Sequence, residues 1–127
     1  MSWIWIPKAT VFGAHAKSIA SYGGADGVRD EGLLESALAR PLNLAAYGEP
    51  DVFALAAAYA FGLVRNHPFV DGNKRTAFLV CALFLDLNGC RLAATEAEAT
   101  ATMLAFAAGE VSEADFAAWL EANSRAR

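Results

Sequence analysis

Apolar residues recur along this chain at helical spacing, in segments set apart by glycine, proline and capping residues. "KATVFGAHAKSIASY" predicts a first helix, with Pro7 suited to its first turn and Gly23-Gly24 as its stop. After the turn-rich "GGADGVRDEG", Asp30 can cap a short helix in "EGLLESALAR", where Leu33, Leu34, Ala37 and Leu38 share a face. Pro41 is expected to end that helix, leaving "PLNLAAYGEP" as a connector long enough to be functional. Asp51 then caps a helix reaching Arg65 or Asn66, apolar nearly all round and therefore central and buried. A second central helix starts near Asn73 and stops at Gly89. Thr95 and Glu98 form a capping box for "EAEATATMLAFAA", which Gly109 stops, and Ser112 caps "EADFAAWLEAN". "WIWI", Trp3 to Ile6, has the residues of a short strand. The pattern predicts one all-α domain over residues 1–127, of about six helices with at most a minor strand or hairpin.

Composition supports this. The chain has 127 residues, 56% of them hydrophobic, with abundant alanine and few β-branched runs, as closely packed helices require. A net charge of -4 argues against a direct nucleic-acid surface, which needs clustered basic residues. Cys81 and Cys90 fit no metal spacing and no disulfide framework, so they read as reduced thiols. "MSWIWIPKAT" lacks the features of a secretory leader. The longest uncharged stretches, "VFALAAAYAFGLV" and "TAFLVCALFL", fall short of the roughly 20 residues a membrane span needs. A cytoplasmic protein with no membrane partner is expected.

The candidate chemistry lies between the two central helices, in "NHPFVDGNKRTAF". A helix start offers unpaired N–H groups and the positive end of the helix dipole. Gly72 removes a side chain just before that start, so a phosphate can approach the N–H groups of Asn73, Lys74 and Arg75. Lys74 and Arg75 add charge, and Arg75 can clamp two phosphate oxygens. Asp71 suits Mg²⁺, which takes one or two carboxylates together with substrate phosphates. His67 is the group here whose unperturbed pKa, about 6.5, makes it a base at neutral pH. Together these point to attack by a hydroxyl on a nucleotide phosphate. Each residue also has an ordinary structural reading. His67 can be a turn or capping residue, Asp71-Gly72 a turn pair, Asn73 an N-cap, and Lys74 and Arg75 a solvated face. Phe69 is an apolar anchor for the loop on either reading, and His15 reads as a helix-face residue packing on its neighbours with no site around it. Trp3, Trp5 and Trp119 are expected to close the core at the two termini.

"HPFVDGNKR" resembles the signature of the Fic/Doc family, H-x-F-x-(D/E)-G-N-x-x-R in its Fic form and H-x-F-x-D-x-N-K-R in its Doc form. "YGGADGVRDEGLLESALARP" and "AAAYAFGLVRN" extend the likeness over most of the chain, closest to the Doc ("death on curing") toxins of toxin–antitoxin modules. The resemblance implies a compact Fic/Doc-like helical domain. It puts the catalytic base on His67, the Mg²⁺ carboxylate on Asp71, the phosphate-binding helix start on Gly72, Asn73, Lys74 and Arg75, and the buried aromatic on Phe69. By position it puts the family's target-aligning flap in Arg40 to Glu49.

Fic nucleotidyl transferases usually carry glycine before the first arginine and a second arginine three residues beyond it. Here Lys74 and Phe78 stand in those places, as in the Doc branch, although Gly72 is the Fic choice. Doc proteins act as protein kinases on a threonine of elongation factor Tu and halt translation, so the resemblance implies ATP and Mg²⁺ as cofactors and that factor as target. The inhibitory (S/T)-x-x-x-E-(G/N) helix of many Fic proteins has no match: Gly27 stands four residues before Glu31-Gly32. Restraint by a separate antitoxin chain is implied. The alternatives are a Fic-type AMP transferase and a non-catalytic antitoxin-binding module. The intact set of His67, Asp71, Asn73 and Arg75 argues against the latter.

Overall fold

Capping decides where most helices begin. Asp30 accepts from Leu33 N at 2.9 Å, Asp51 from Ala54 N at 2.8 Å, Thr95 from Glu98 N at 3.1 Å and Ser112 from Asp115 N at 3.0 Å. In the computed structural model, which describes residues 2–127, the helices are α1 (Lys8–Tyr22), α2 (Glu31–Tyr47), α3 (Val52–Asn66), α4 (Asn73–Leu87), α5 (Glu96–Ala107) and α6 (Glu113–Ala122). The box at Thr95 is only half formed, because Glu98 Oε1 accepts from the Thr95 hydroxyl at 2.8 Å and not from its backbone. Among the described residues the only sheet is a pair of antiparallel strands. It joins β1 (Cys90–Leu92) to β2 (Ser124–Ala126), with Cys90 opposite Ala126.

The all-round apolar α3 is the central helix, as its pattern predicts. Leu55, Tyr59, Ala60 and Leu63 are fully buried, and α3 packs against α2, α4 and α6. Phe84 of α4 meets Tyr59 at 5.2 Å between ring centroids, Trp5 at 5.8 Å and Trp3 at 6.3 Å. At the other terminus Phe116 stacks on Phe106 at 4.2 Å, with Trp119 at 5.9 Å from Phe116. The terminal tryptophans do close the core. Truncating Phe84 to alanine would cost about 3–5 kcal/mol. Both cysteines are free, and burial pushes the Cys81 thiol up to about 12.

Three local expectations are corrected. "WIWI" is not a strand: Ile6 N donates to the Tyr59 hydroxyl at 3.0 Å, and Ile4 exchanges hydrogen bonds with the Asn88 amide. Side chains, in place of a partner strand, take the hydrogen bonds of Ile4 and the Ile6 N–H. Pro7 is the N-cap of α1 and lies outside its first turn.

Pro41 does not end α2, which runs on to Tyr47 and absorbs most of the expected connector. A proline inside a helix leaves the carbonyl four residues back without its donor. Here that carbonyl belongs to Ala37 and lies against Gly62 of α3, where a Cβ would stand 2.9 Å from it. Burial of Leu34, Ala37 and Pro41 outweighs the lost bond.

Candidate functional site

The break between α3 and α4 is held from beneath, from the side and at its exit. His67 ends α3 with φ 50 and ψ 54, the one non-glycine residue at positive φ among the described residues. Arg29 caps the same helix end: its Nε donates to the His67 carbonyl at 2.7 Å and its Nη2 to the Asn66 carbonyl at 2.9 Å. A cation is well placed there, at the negative end of the α3 dipole. Main-chain bonds then join the loop before α2 to the motif. Arg29 N and Asp30 N donate to the Pro68 carbonyl at 2.7 and 3.1 Å, Val70 N donates to the Gly27 carbonyl at 3.0 Å, and Val28 bridges Phe69.

Phe69 is fully buried, as expected of an anchor. Its backbone is satisfied by a single side chain. Asn73 Oδ1 accepts from Phe69 N and Asn73 Nδ2 donates to Phe69 O, both at 3.0 Å. The Asn73 amide is therefore a staple under the loop, and what it offers the site is its backbone N–H. Gly72, at φ 77, is the residue before α4 and provides no side-chain cap. The first bond of the helix runs from Thr76 N to the Gly72 carbonyl at 3.0 Å. The N–H groups of Asn73, Lys74 and Arg75 have no acceptor among the described residues. That is three donors in a row at the positive end of a helix.

The Asp71 carboxylate stands beside them. Its Oδ1 accepts from Gly72 N at 2.9 Å and its Oδ2 from Ala25 N at 3.3 Å. The Gly72 N–H, then the Ala25 N–H, hold this exposed carboxyl below the usual carboxylate range. It is ionised at neutral pH, and each oxygen keeps a further lone pair. No group of three or more His, Cys, Asp or Glu side chains forms a metal cage among the described residues. A lone ionised carboxylate beside open N–H donors fits Mg²⁺ held jointly by protein and substrate phosphates, and does not fit an all-protein site.

The exposed His67, Asp71 and the stretch Gly72 to Arg75 line one cavity of about 280 Å³, flanked by Val64 and Ala107. The sequence-predicted residues are thus brought together, with two qualifications of geometry. Lys74 is exposed and makes no ion pair among the described residues. Arg75 is partly engaged elsewhere. Its Nε donates to Ser18 Oγ and its Nη2 to the Gly23 carbonyl, both at 3.1 Å, with the guanidinium 5.0 Å from the Tyr22 ring centroid. It ties α4 to the end of α1, and its Nη1 makes no hydrogen bond among the described residues.

A larger cleft of about 490 Å³ lies between α2 and α3, lined by Arg40, Tyr47, Phe61 and Glu113 among others. It contains no residue from His67 to Arg75 and none of the open N–H groups, so its size does not make it the chemical site. The segment expected as a flap lines this cleft through Arg40, Asn43, Leu44, Tyr47 and Gly48.

Sequence reasoning missed Arg29 and Gly24, and it left His15 without a site. His15 Nε2 is 2.8 Å from the Asp71 carbonyl, and its ring lies flat on Phe69 at 3.9 Å. The one available signal was the glycine pair after α1.

Fold and site define a class: a helical domain whose central helix pair opens, at the start of the second helix, into a cavity lined by an imidazole, a carboxylate and unpaired backbone N–H groups. The chain belongs to the Fic/DOC family, whose model matches residues 5–85. It is 50% identical over 82 residues to a protein named Toxin Doc from Mycolicibacterium smegmatis, a match spanning 62% of this chain and 62% of that one. It is also 38% identical over 99 residues to Protein kinase doc of Escherichia phage P1, spanning 77% of this chain and 78% of the relative. Among the described residues no helix is long and apolar enough to cross a membrane.

Proposed function

We propose that the chain is a Doc-type toxin: an ATP- and Mg²⁺-dependent protein kinase that phosphorylates a serine or threonine hydroxyl of a translation factor, elongation factor Tu, and halts translation in the cytoplasm. Restraint comes from a separate antitoxin chain. The relatives named Toxin Doc and Protein kinase doc support the toxin and phosphotransfer parts of this reading. The observation that carries the site is the meeting of His67, Asp71 and the free N–H groups of Asn73 to Arg75 in one cavity.

In this reading the target hydroxyl gives its proton to the His67 imidazole as its oxygen attacks the γ-phosphorus. The bond to the β,γ-bridging oxygen breaks and ADP leaves. The N–H groups of Asn73, Lys74 and Arg75, with the Lys74 ammonium, face the charge that spreads over the transferring phosphoryl oxygens. Asp71 holds Mg²⁺, which when bound neutralises phosphate charge. Asn73 and Phe69 keep the helix start in register beneath.

Phe78 favours γ- over α-phosphate transfer. It packs against the hydrophobic core in the place of the arginine that would hold a deeper phosphate. A phenyl ring donates no hydrogen bond and carries no charge. The test is transfer from ATP labelled at the γ- or the α-phosphate onto purified elongation factor Tu. Label from the γ position is expected, and label from the α position in its place would make this an AMP transferase.

A further inference from the structure

His15 and Asp71 lie 56 positions apart in the chain and meet at one peptide unit. The Asp71 carbonyl is 2.8 Å from His15 Nε2. A carbonyl oxygen can only accept, so Nε2 carries the proton and His15 is the donor. The other end of that peptide unit, the Gly72 N–H, donates to Asp71 Oδ1 at 2.9 Å. One rigid amide plane therefore has His15 on its oxygen and the Asp71 carboxylate on its hydrogen. A bond accepted at the carbonyl polarises the amide and strengthens the bond its N–H donates. Turning the plane would break both bonds and take Gly72 out of φ 77, part of the left-handed conformation from which α4 starts.

The imidazole is itself fixed. It is 3% exposed, and its ring lies 3.9 Å from Phe69 with 8° between the planes. Its other nitrogen, Nδ1, has Asp26 Oδ1 at 3.7 Å, beyond hydrogen-bond range. A purely packing aromatic would not need a donor aimed at this carbonyl.

We infer that His15 is a positioning residue, which through the Asp71–Gly72 peptide holds the Asp71 carboxylate in the orientation that receives a divalent cation. The inference rests on the reading of Asp71 as the metal carboxylate. His15 touches neither nucleotide nor target; its effect reaches the site by way of the backbone. Partners at this remove from a metal typically change its affinity by about 10–100-fold.

The experiment compares the full-length chain with His15→Phe, which keeps a flat ring against Phe69 and deletes the donor, and with His15→Gln, which restores a donor. Mg²⁺ is titrated without nucleotide, following the Gly72 amide resonance, and exchange of the same amide with deuterium is timed. His15→Phe should raise the half-saturating Mg²⁺ about 10-fold or more and speed Gly72 exchange, while His15→Gln recovers most of both. If the phenyl ring prevents folding, His15→Leu makes the same comparison. Wild-type Mg²⁺ demand and exchange in the donor-less variant would overturn the inference, as would a His15→Gln as defective as His15→Phe. Asp71→Asn runs in parallel. A shift in that variant without one in His15→Phe overturns the role of His15 alone, and no shift in Asp71→Asn overturns the reading of Asp71 as well.

Discussion

Gly24 lies so close to the Asp71 carboxylate that a Cβ there would stand 2.8 Å from Oδ2. The residue also sits at φ 114, which side-chain-bearing residues seldom adopt. Gly24→Ala is therefore expected to push the carboxylate off its two N–H donors at a backbone cost of about 1–3 kcal/mol. Its phosphotransfer should fall far more than its unfolding midpoint, as paired rate and denaturation measurements would show. A variant with the full rate would mean that the carboxylate need not stay where Gly24 lets it sit.

On the proposed reading His67 combines the role of base with its place at the positive-φ end of α3, and the substitution must separate them. Asn tolerates the left-handed conformation better than most residues, so His67→Asn keeps the helix end at φ 50. Phosphate transfer should fall by about 10²–10⁴-fold with the thermal midpoint nearly unchanged. A folded His67→Asn at full rate would remove the base from this position.

The Asp71 carboxyl gives a pH dependence of known sign. Held below its ordinary 3.8 by the Gly72 and Ala25 N–H groups, it contributes stability above that pH and loses it as the pH falls through the lower folded value. The wild-type chain should exceed Asp71→Asn in stability at neutral pH, and acidification below 3.8 should close the gap. Denaturant titrations at stepped pH measure it, and a gap independent of pH contradicts it.

Asn73 is expected to fail first in stability. Alanine there leaves the buried N–H and carbonyl of Phe69 without partners, a loss of about 2–6 kcal/mol on combining the two. Asn73→Asp should not recover it, because a carboxylate accepts from Phe69 N and cannot donate to Phe69 O. Chemical denaturation of the two variants decides this, and wild-type stability in either would show that the staple is dispensable.

What could be read from the residues alone was mostly local. Asp30, Asp51, Thr95 and Ser112 bond within three positions of themselves, so their helices begin where the pattern put them. The all-round apolar α3 likewise announced its burial. Pro41 misled because the packing of Ala37 against Gly62 lies 25 positions away in the chain. "WIWI" misled because its hydrogen-bond partners are side chains at Tyr59 and Asn88. Of the site, the motif itself was legible and its supports were not. Arg29, Gly24 and His15 act on atoms roughly forty to sixty positions away, and no periodicity records such a meeting.

The clasp between the loop before α2 and the motif divides the site between two stretches of chain. His15, Gly24 and Arg29 come before the exposed turn at Gly48 and Glu49, and every motif residue comes after it. A cut in that turn would produce one piece with all the motif chemistry and another with the parts that hold it in shape. On the proposed toxin reading, each piece alone would leave a host cell unharmed, and only a cell receiving both could rebuild the activity. Growth arrest would then work as a logical AND of two inputs, and its onset would report that the two pieces had met.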